Sequence, residues 1–182
     1  MTTTLFYKFD FNQENNIEKP FSLKQEELVL VKGTDSKFKK EKVAYSCSFI
    51  KAAKWEVRRP TIIICIKDNA DLLRFTLDNL TKNDIHNQSN IIIVDDRSTE
   101  DIKSIVLENS LSYVRVDNDK GFNFSMLNNI GAYVANKLGT EEIVLWNSDL
   151  WTPDSVTFQN LLNLHRKNNS TISGTKLIYP PK

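Results

Sequence analysis

Two stretches of the chain are apolar almost without interruption. Thr61 to Ile66 (TIIICI) and Asn90 to Val94 (NIIIV) are β-branched runs, which predict strands buried on both faces. Between them, Asn69 is placed to cap a helix with Leu73, Leu77 and Leu80 at i, i+4 and i+7. Ser98-Thr99-Glu100-Asp101 has the form of a capping box, and Ile102, Ile105 and Val106 give the next helix its stripe. Ser112 to Val116 reads as a third strand. Phe124, Leu127, Gly131, Val134 and Leu138 recur at helical spacing, with Gly139 placed to end that helix. Glu142 to Trp146 reads as a fourth buried strand. Thr152 then predicts an N-cap, with Pro153 at the first position of a helix reaching Arg166. Ile172 to Tyr179 predicts a last strand.

Strands that alternate with helices predict an α/β fold with a mainly parallel sheet flanked by helices. In such sheets ligands bind outside the carboxyl ends of the strands. Polar clusters fall at those ends: Lys67-Asp68-Asn69, Asp95-Asp96-Arg97-Ser98, Asp117-Asn118-Asp119-Lys120 and Asn147-Ser148-Asp149. Loops are polar anyway, but turn chemistry favours Gly, Pro and Asn as much as Asp. Carboxylates at three of the four strand ends therefore predict a functional edge.

Residues 1–58 follow another pattern. Four aromatics crowd Leu5 to Phe11, Glu27 to Val31 is short and apolar, and Val43, Tyr45, Cys47 and Phe49 alternate with small residues. Polar loops such as Ser36 to Lys42 separate them. This predicts a small β-rich N-terminal extension, with residues 59–182 as the α/β domain.

Composition narrows the partners. Apolar residues make up 40% and charged residues 26%, an ordinary globular balance, and the net charge of +1 gives no call to nucleic acid or an anionic surface. No apolar run is long enough to span a bilayer, and the first residues lack a signal-peptide pattern. Cys47 and Cys65, two thiols without paired spacing, suit a reducing compartment and a cytoplasmic location. Neither G-x-x-x-x-G-K-[ST] nor a strand-linked G-x-G-x-x-G occurs, and the two histidines, His86 and His165, do not sit in a zinc or nucleophile motif. Carboxylates on a strand edge suit Mg²⁺ or Mn²⁺, which take oxygen ligands from one or two acids, phosphates and water. That is a nucleotide-diphosphate site built without a glycine-rich loop.

The segment IIICIKDNADLLRFTLDNL followed by IIIVDDRSTED resembles the N-terminal half of family 2 glycosyltransferases of the GT-A fold. NDKGFNFSMLNNIGA is similar to their Asn-x-Gly-Phe…Asn-x-Gly segment. IVLWNSDLWTPDSV resembles the strand that ends in their Asp-x-Asp motif, and ISGTKLIYP the strand after it. The likeness spans about residues 59–180 and implies a GT-A-like, Rossmann-like fold. It implies that Asp96 binds the base or ribose with Asp95 as companion, that Cys65, Lys67 and Asp68 line the nucleotide pocket, and that Asp149 holds a Mg²⁺ or Mn²⁺ ion. Three departures stand out: Cys65 where proline is usual, Lys67 where an aromatic is usual, and Asn147 in place of the first aspartate of Asp-x-Asp. Asn147 still offers an amide oxygen to ribose but brings no charge to the metal.

The resemblance implies an inverting transfer of sugar from a UDP-, dTDP- or GDP-linked donor to a glycan or lipid-linked acceptor, as in polysaccharide biosynthesis, with peripheral membrane association. Such chemistry needs a general base, and the sequence offers none; the expectation is a donor-binding part without the acceptor region, weakly active or inactive alone. The competing expectation is a non-catalytic module on a degenerate version of the same fold, binding a glycan or a partner. A third reading, a receiver-like signalling domain with an acidic pocket, is disfavoured because no later strand ends in the lysine that such a pocket needs.

Overall fold

The computed structural model describes residues 8–11, 21–30, 38–119 and 121–175, with side chains from residue 46 onward. Among them one seven-stranded sheet runs in the order β1-β2-β3-β6-β5-β4-β7. β4 (Thr61–Ile66), β5 (Asn90–Asp95), β6 (Ser112–Asp117) and β7 (Ile143–Asn147) form its parallel part. β1 (Lys8–Phe11), β2 (Phe21–Leu30) and β3 (Phe38–Ile50) continue it antiparallel, with β3 hydrogen-bonded to β6. The N-terminal strands thus continue the same sheet. The stretch expected as a polar loop at Ser36 to Lys42 enters β3 from Phe38 onward, because its backbone pairs with β2 out to Leu30.

Strand alternation sorts the core into two layers. Ile63, Cys65, Ile92, Val94, Val114 and Val116 face α3 (Phe124–Lys137), which carries the chain across that face from β6 to β7. Ile62, Ile64, Ile66, Ile93 and Tyr113 face α1 (Ala70–Lys82), α2 (Ile102–Glu108) and Phe158 of α4 (Ser155–Lys167). Each isoleucine of β4 is at most 3% exposed, a burial that stabilises by about 1.5–3 kcal/mol per side chain. Gly131 lets α3 lie close on the sheet: a Cβ there would stand 2.6 Å from Ile63 Cγ2.

The predicted helices are present, with caps that differ in two places. Asn69 caps α1 as expected, in a left-handed conformation, and Gly139 follows α3 at φ 85°. α2 is capped by Asp101 and not by Ser98, because the Ser98 hydroxyl accepts from the Asp68 N–H instead. α4 is capped by Asp154, while Thr152 is bound to α1 by Asn79 and Asn83. β7 is the edge strand among the described residues, and its Ile143 and Leu145 are exposed, against the expectation of a buried strand. Residues 171–175 form no strand, and the rest of the expected last strand lies outside the described residues. No helix among the described residues is long and apolar enough to cross a membrane.

Strand order places the site. β4 leads through α1 to β5 on one side, while β7 lies on the other side of β4. The order of strands reverses between β4 and β7, the switch point where sheets of this kind open a crevice at their carboxyl ends.

Candidate functional site

Buried polar groups at the two ends of the parallel strands are treated differently. At the amino end they satisfy each other: Thr61 bonds Thr140 at 2.8 Å, and Asn90 takes both backbone groups of Glu56. At the carboxyl end, Asp96 has a side chain with no exposure to solvent and no close hydrogen bond, with Lys67 and Asn118 as its polar neighbours. Burial pushes its pKa up; the Lys67 charge and the Asn118 side chain act the other way. Lys67 Nζ stands 3.6 Å from Asp96 Oδ2, and the lysine side chain is partly exposed. A buried carboxylate without hydrogen bonds costs free energy unless something else requires it.

Asp95, one residue earlier, points to the opposite face and is fully engaged. Its Oδ1 accepts from Ser98 N at 2.8 Å; its Oδ2 accepts from the Tyr113 hydroxyl and from Arg115 Nη1 at 3.3 Å. Burial, followed by the Asp95 hydrogen bond, pushes the Tyr113 pKa far up, so the phenol stays a donor. Asp68 is engaged as well. Its Oδ1 accepts from Thr99 N at 2.6 Å, Thr99 Oγ1 at 3.0 Å and Glu100 N at 3.3 Å, while Glu100 accepts from Ala70 N. The two loops after β4 and β5 are therefore laced together. Cys65 is a core thiol, pushed up to about 12 by burial first and by Asp96 second, so only its backbone is offered to a ligand.

The lacing makes acid sensitivity measurable. The Thr99 N–H, then the Thr99 hydroxyl and the Glu100 N–H, hold Asp68 below the usual carboxylate range. A pKa lowered by folding stabilises the fold above the unfolded value of about 4 and loses that contribution as pH falls through the folded one. Asp68→Asn is expected to be less stable than wild type at pH 7, with the gap closing below about pH 4. Thermal melts across that range check it; a gap independent of pH would refute the assignment.

On the other side of β4, the turn after β7 is a rigid platform. Leu150 N donates to Asn147 O at 3.1 Å and the Trp146 indole donates to Leu150 O at 3.0 Å. Thr76 Oγ1 donates to Ser148 O, and Asn79 and Asn83 clamp Thr152, so one face of α1 straps the turn down. Asn147 pairs with Cys65 in register, which sets its side chain on the α3 face with Lys67 and Asp96. Asp149 is exposed at the tip and has no hydrogen bond or ion pair among the described residues. Asp96 and Asp149 leave strands on either side of β4, about 10 Å apart at two strand spacings.

No group of three or more His, Cys, Asp or Glu that would hold a metal alone occurs among the described residues. The donor set still fits Mg²⁺ or Mn²⁺ shared with a phosphate ligand: one unengaged carboxylate on a fixed turn, with water and phosphate oxygens completing the shell. The third loop contributes Asn118, buried, whose amide donates to Gly121 O at 2.6 Å, where Gly121 takes φ 91°.

The sequence comparison agrees with this edge. The family model for glycosyl transferase family 2 matches residues 61–180, from the first residue of β4 past the last described residue. The chain belongs to glycosyl transferase family 2. Among solved structures it is similar to PcManGT, a mannosyltransferase from Pyrobaculum calidifontis solved in complex with GDP-Man and Mn²⁺ (21% identity, TM-score 0.47, covering 59% of this chain and 32% of that one). It is also similar to S. aureus TarS 1-349 (19% identity, TM-score 0.49, covering 68% of this chain and 38% of that one). The family 2 chain described here thus spans about a third of the length of these two chains. A search of curated proteins gave no match.

The expected site residues divide accordingly. Lys67, Asp96 and Asn147 share the α3 face, Asp149 is exposed on the turn after β7, and Asp68, Asp95 and Cys65 have side chains committed within the protein. Sequence reading missed the groups that hold the edge in place: Thr76, Asn79 and Asn83 on α1, and Tyr113 and Arg115 on β6. Polar residues at positions 76, 79 and 83 share a helical face, which is a signal of a strap, but their partner 70 residues on is not visible in the pattern.

Proposed function

We propose that this family 2 chain binds the nucleotide diphosphate part of a sugar donor across the carboxyl ends of β4, β5 and β7. Asp96 receives the base, Asn147 offers its amide oxygen to the ribose, and Asp149 holds Mg²⁺ or Mn²⁺ against the diphosphate. Asp68, Asp95 and the backbone at Cys65 fix the loops that surround the ligand. When bound, the metal neutralises the diphosphate and makes it a better leaving group. In the full-length enzyme the reading extends to inverting transfer to a glycan or lipid-linked acceptor; we assign no general base.

The observation that carries this reading is Asp96, a wholly buried carboxylate at the edge where ligands bind, faced by Lys67 and Asn118 and without a close hydrogen bond. The test is calorimetric titration of UDP, dTDP and GDP with and without Mn²⁺. Binding is expected to depend on metal and to fall at least tenfold in Asp149→Ala. Asp149 is exposed on a turn strapped from elsewhere, so the variant should melt within about 0.5 kcal/mol of wild type. A folded protein that ignores every nucleotide would sink the proposal and leave the non-catalytic reading.

A further inference from the structure

The peptide planes on either side of Asp149 are both held from inside the protein, and one of the two holds comes from α1. On the C-terminal side, Leu150 N donates to Asn147 O at 3.1 Å, a bond made within the turn. On the N-terminal side, Ser148 O accepts from the Thr76 hydroxyl, 72 residues away in the chain. Each peptide unit is planar, so two planes set φ and ψ of the residue between them and the direction in which its Cβ leaves the backbone. Thr76 thus fixes half of the frame from which the exposed Asp149 carboxylate projects.

Nothing in the packing of α1 asks for a hydroxyl at position 76. The buried residues of that helix are Leu73, Thr76, Leu77 and Leu80, a stripe at i, i+3, i+4 and i+7 with one polar member. Thr76 is 0% exposed. Valine has nearly the same shape and would fill the place with no polar group to satisfy. A threonine inside a helix can turn its hydroxyl back to the carbonyl four residues earlier; this one reaches across to another element. The exit of the turn has its own holds on α1. Asn79 accepts from Thr152 N and donates to Thr152 O, Asn83 donates to Thr152 O, and the Phe75 ring meets the Trp151 ring edge-on at 5.9 Å. Residues 151–152 are therefore anchored with or without a hydroxyl at position 76, and the Thr76 bond acts on the frame of Asp149.

We infer that Thr76 is a positioning residue for the metal held by Asp149, an inference that rests on the donor-site reading above. A carboxylate on a turn that can rock must be ordered at each binding event, and that cost is taken from its affinity; a turn fixed beforehand avoids it. Thr76 is buried behind the turn and acts through the Ser148 carbonyl.

The experiment titrates UDP, dTDP and GDP calorimetrically into the full chain and its variants, with and without Mn²⁺. Thr76→Val is expected to weaken the Mn²⁺-dependent binding by about tenfold, and to leave metal-free binding as it is. Thr76→Ser keeps the hydroxyl and should keep the affinity. Thr76→Ala carries the same expectation as valine should valine not fold. Thr61→Val is the stability control: it removes a buried hydroxyl bond, to Thr140 at 2.8 Å, at the opposite end of the same sheet, and should melt lower without changing nucleotide affinity. In an Asp149→Ala background Thr76→Val should have no further effect on binding, because it acts through that carboxylate. In metal-free protein, hydrogen exchange at the Leu150 amide should quicken in Thr76→Val and not in Thr61→Val. A loss of binding under about threefold in Thr76→Val, an equal loss in Thr61→Val, or full additivity with Asp149→Ala overturns the role of Thr76 while the donor site stands. No binding of any nucleotide to the folded wild-type protein overturns both.

Discussion

Asp95→Ala is expected to destabilise the fold by about 3 kcal/mol, although the aspartate belongs to the doublet that the family resemblance assigns to the ligand. Three donors meet its carboxylate: the Ser98 N–H, the Tyr113 hydroxyl and the Arg115 guanidinium. Alanine leaves the Tyr113 hydroxyl and the Ser98 N–H buried without an acceptor, each costing about 1–3 kcal/mol. Arg115 suffers less, since it is about a third exposed and keeps Asp117 at 3.4 Å. For a chain of this size the loss corresponds to about 6–12 °C in melting temperature. The double variant Asp95→Ala, Tyr113→Phe separates this account from a general loop effect. Removing the orphaned hydroxyl should recover part of the loss, so the two changes should fall short of additivity. Strict additivity would show that the pair is not coupled.

The second large effect is expected at Gly131. A methyl group there would meet Ile63 Cγ2 at 2.6 Å and Val94 Cγ2 at 3.0 Å, both in the floor of the α3 layer. Neither neighbour is the end of a flexible side chain; both are branch methyls on buried strand residues. Alanine improves helix propensity by about 1 kcal/mol relative to glycine, but overpacking costs about 1–3 kcal/mol. Gly131→Ala should therefore lose stability modestly, and Gly131→Val by about 3 kcal/mol or more as its two γ-methyls enter the same contact. Denaturant melts measure both, with Gly174→Ala as control, since nothing lies within 4 Å of a Cβ there. If Gly131→Val melts like the control, α3 does not sit as close to the sheet as described.

The central fold is readable in the chain because its signals are local. Thr61 to Ile66 and Asn90 to Val94 are too short and too β-branched for helices, and Leu73, Leu77 and Leu80 keep one helical face. Capping was harder to read, since Ser98 and Thr152 have the right chemistry for N-caps but are drawn to partners on other elements, Asp68 for the first and α1 for the second. β7 read as buried because apolar content, and not position in the sheet, is what a sequence displays; the order of strands left its Ile143 and Leu145 on the outside.

The candidate edge was legible as a row of strand-end acids, but the division of labour among them was not. Asp68, Asp95 and Asp96 look alike in the chain. Only the fold shows that Thr99 and Glu100 claim the first, that Tyr113 and Ser98 claim the second, and that the third is buried beside Lys67 and Asn118 without a close hydrogen bond. Asp149 was singled out by its place after a strand, and its freedom follows from Trp146 and Thr76 holding the turn without its help.

The two neighbouring aspartates also fix the reading frame of their strand. Asp95 lies beside Ile66 and Arg115 in register, and Asp96 follows on the other face. Because side chains alternate, a deletion within Asn90–Asp95 would carry Asp96 to the buttressed position beside Tyr113 and Arg115, and an insertion would carry Asp95 to the face of Cys65. The isoleucines before them would change layers at the same time. Length changes in this family 2 chain should therefore be tolerated better in its exposed connections than within β5, where one residue more or less moves both acids to the other face.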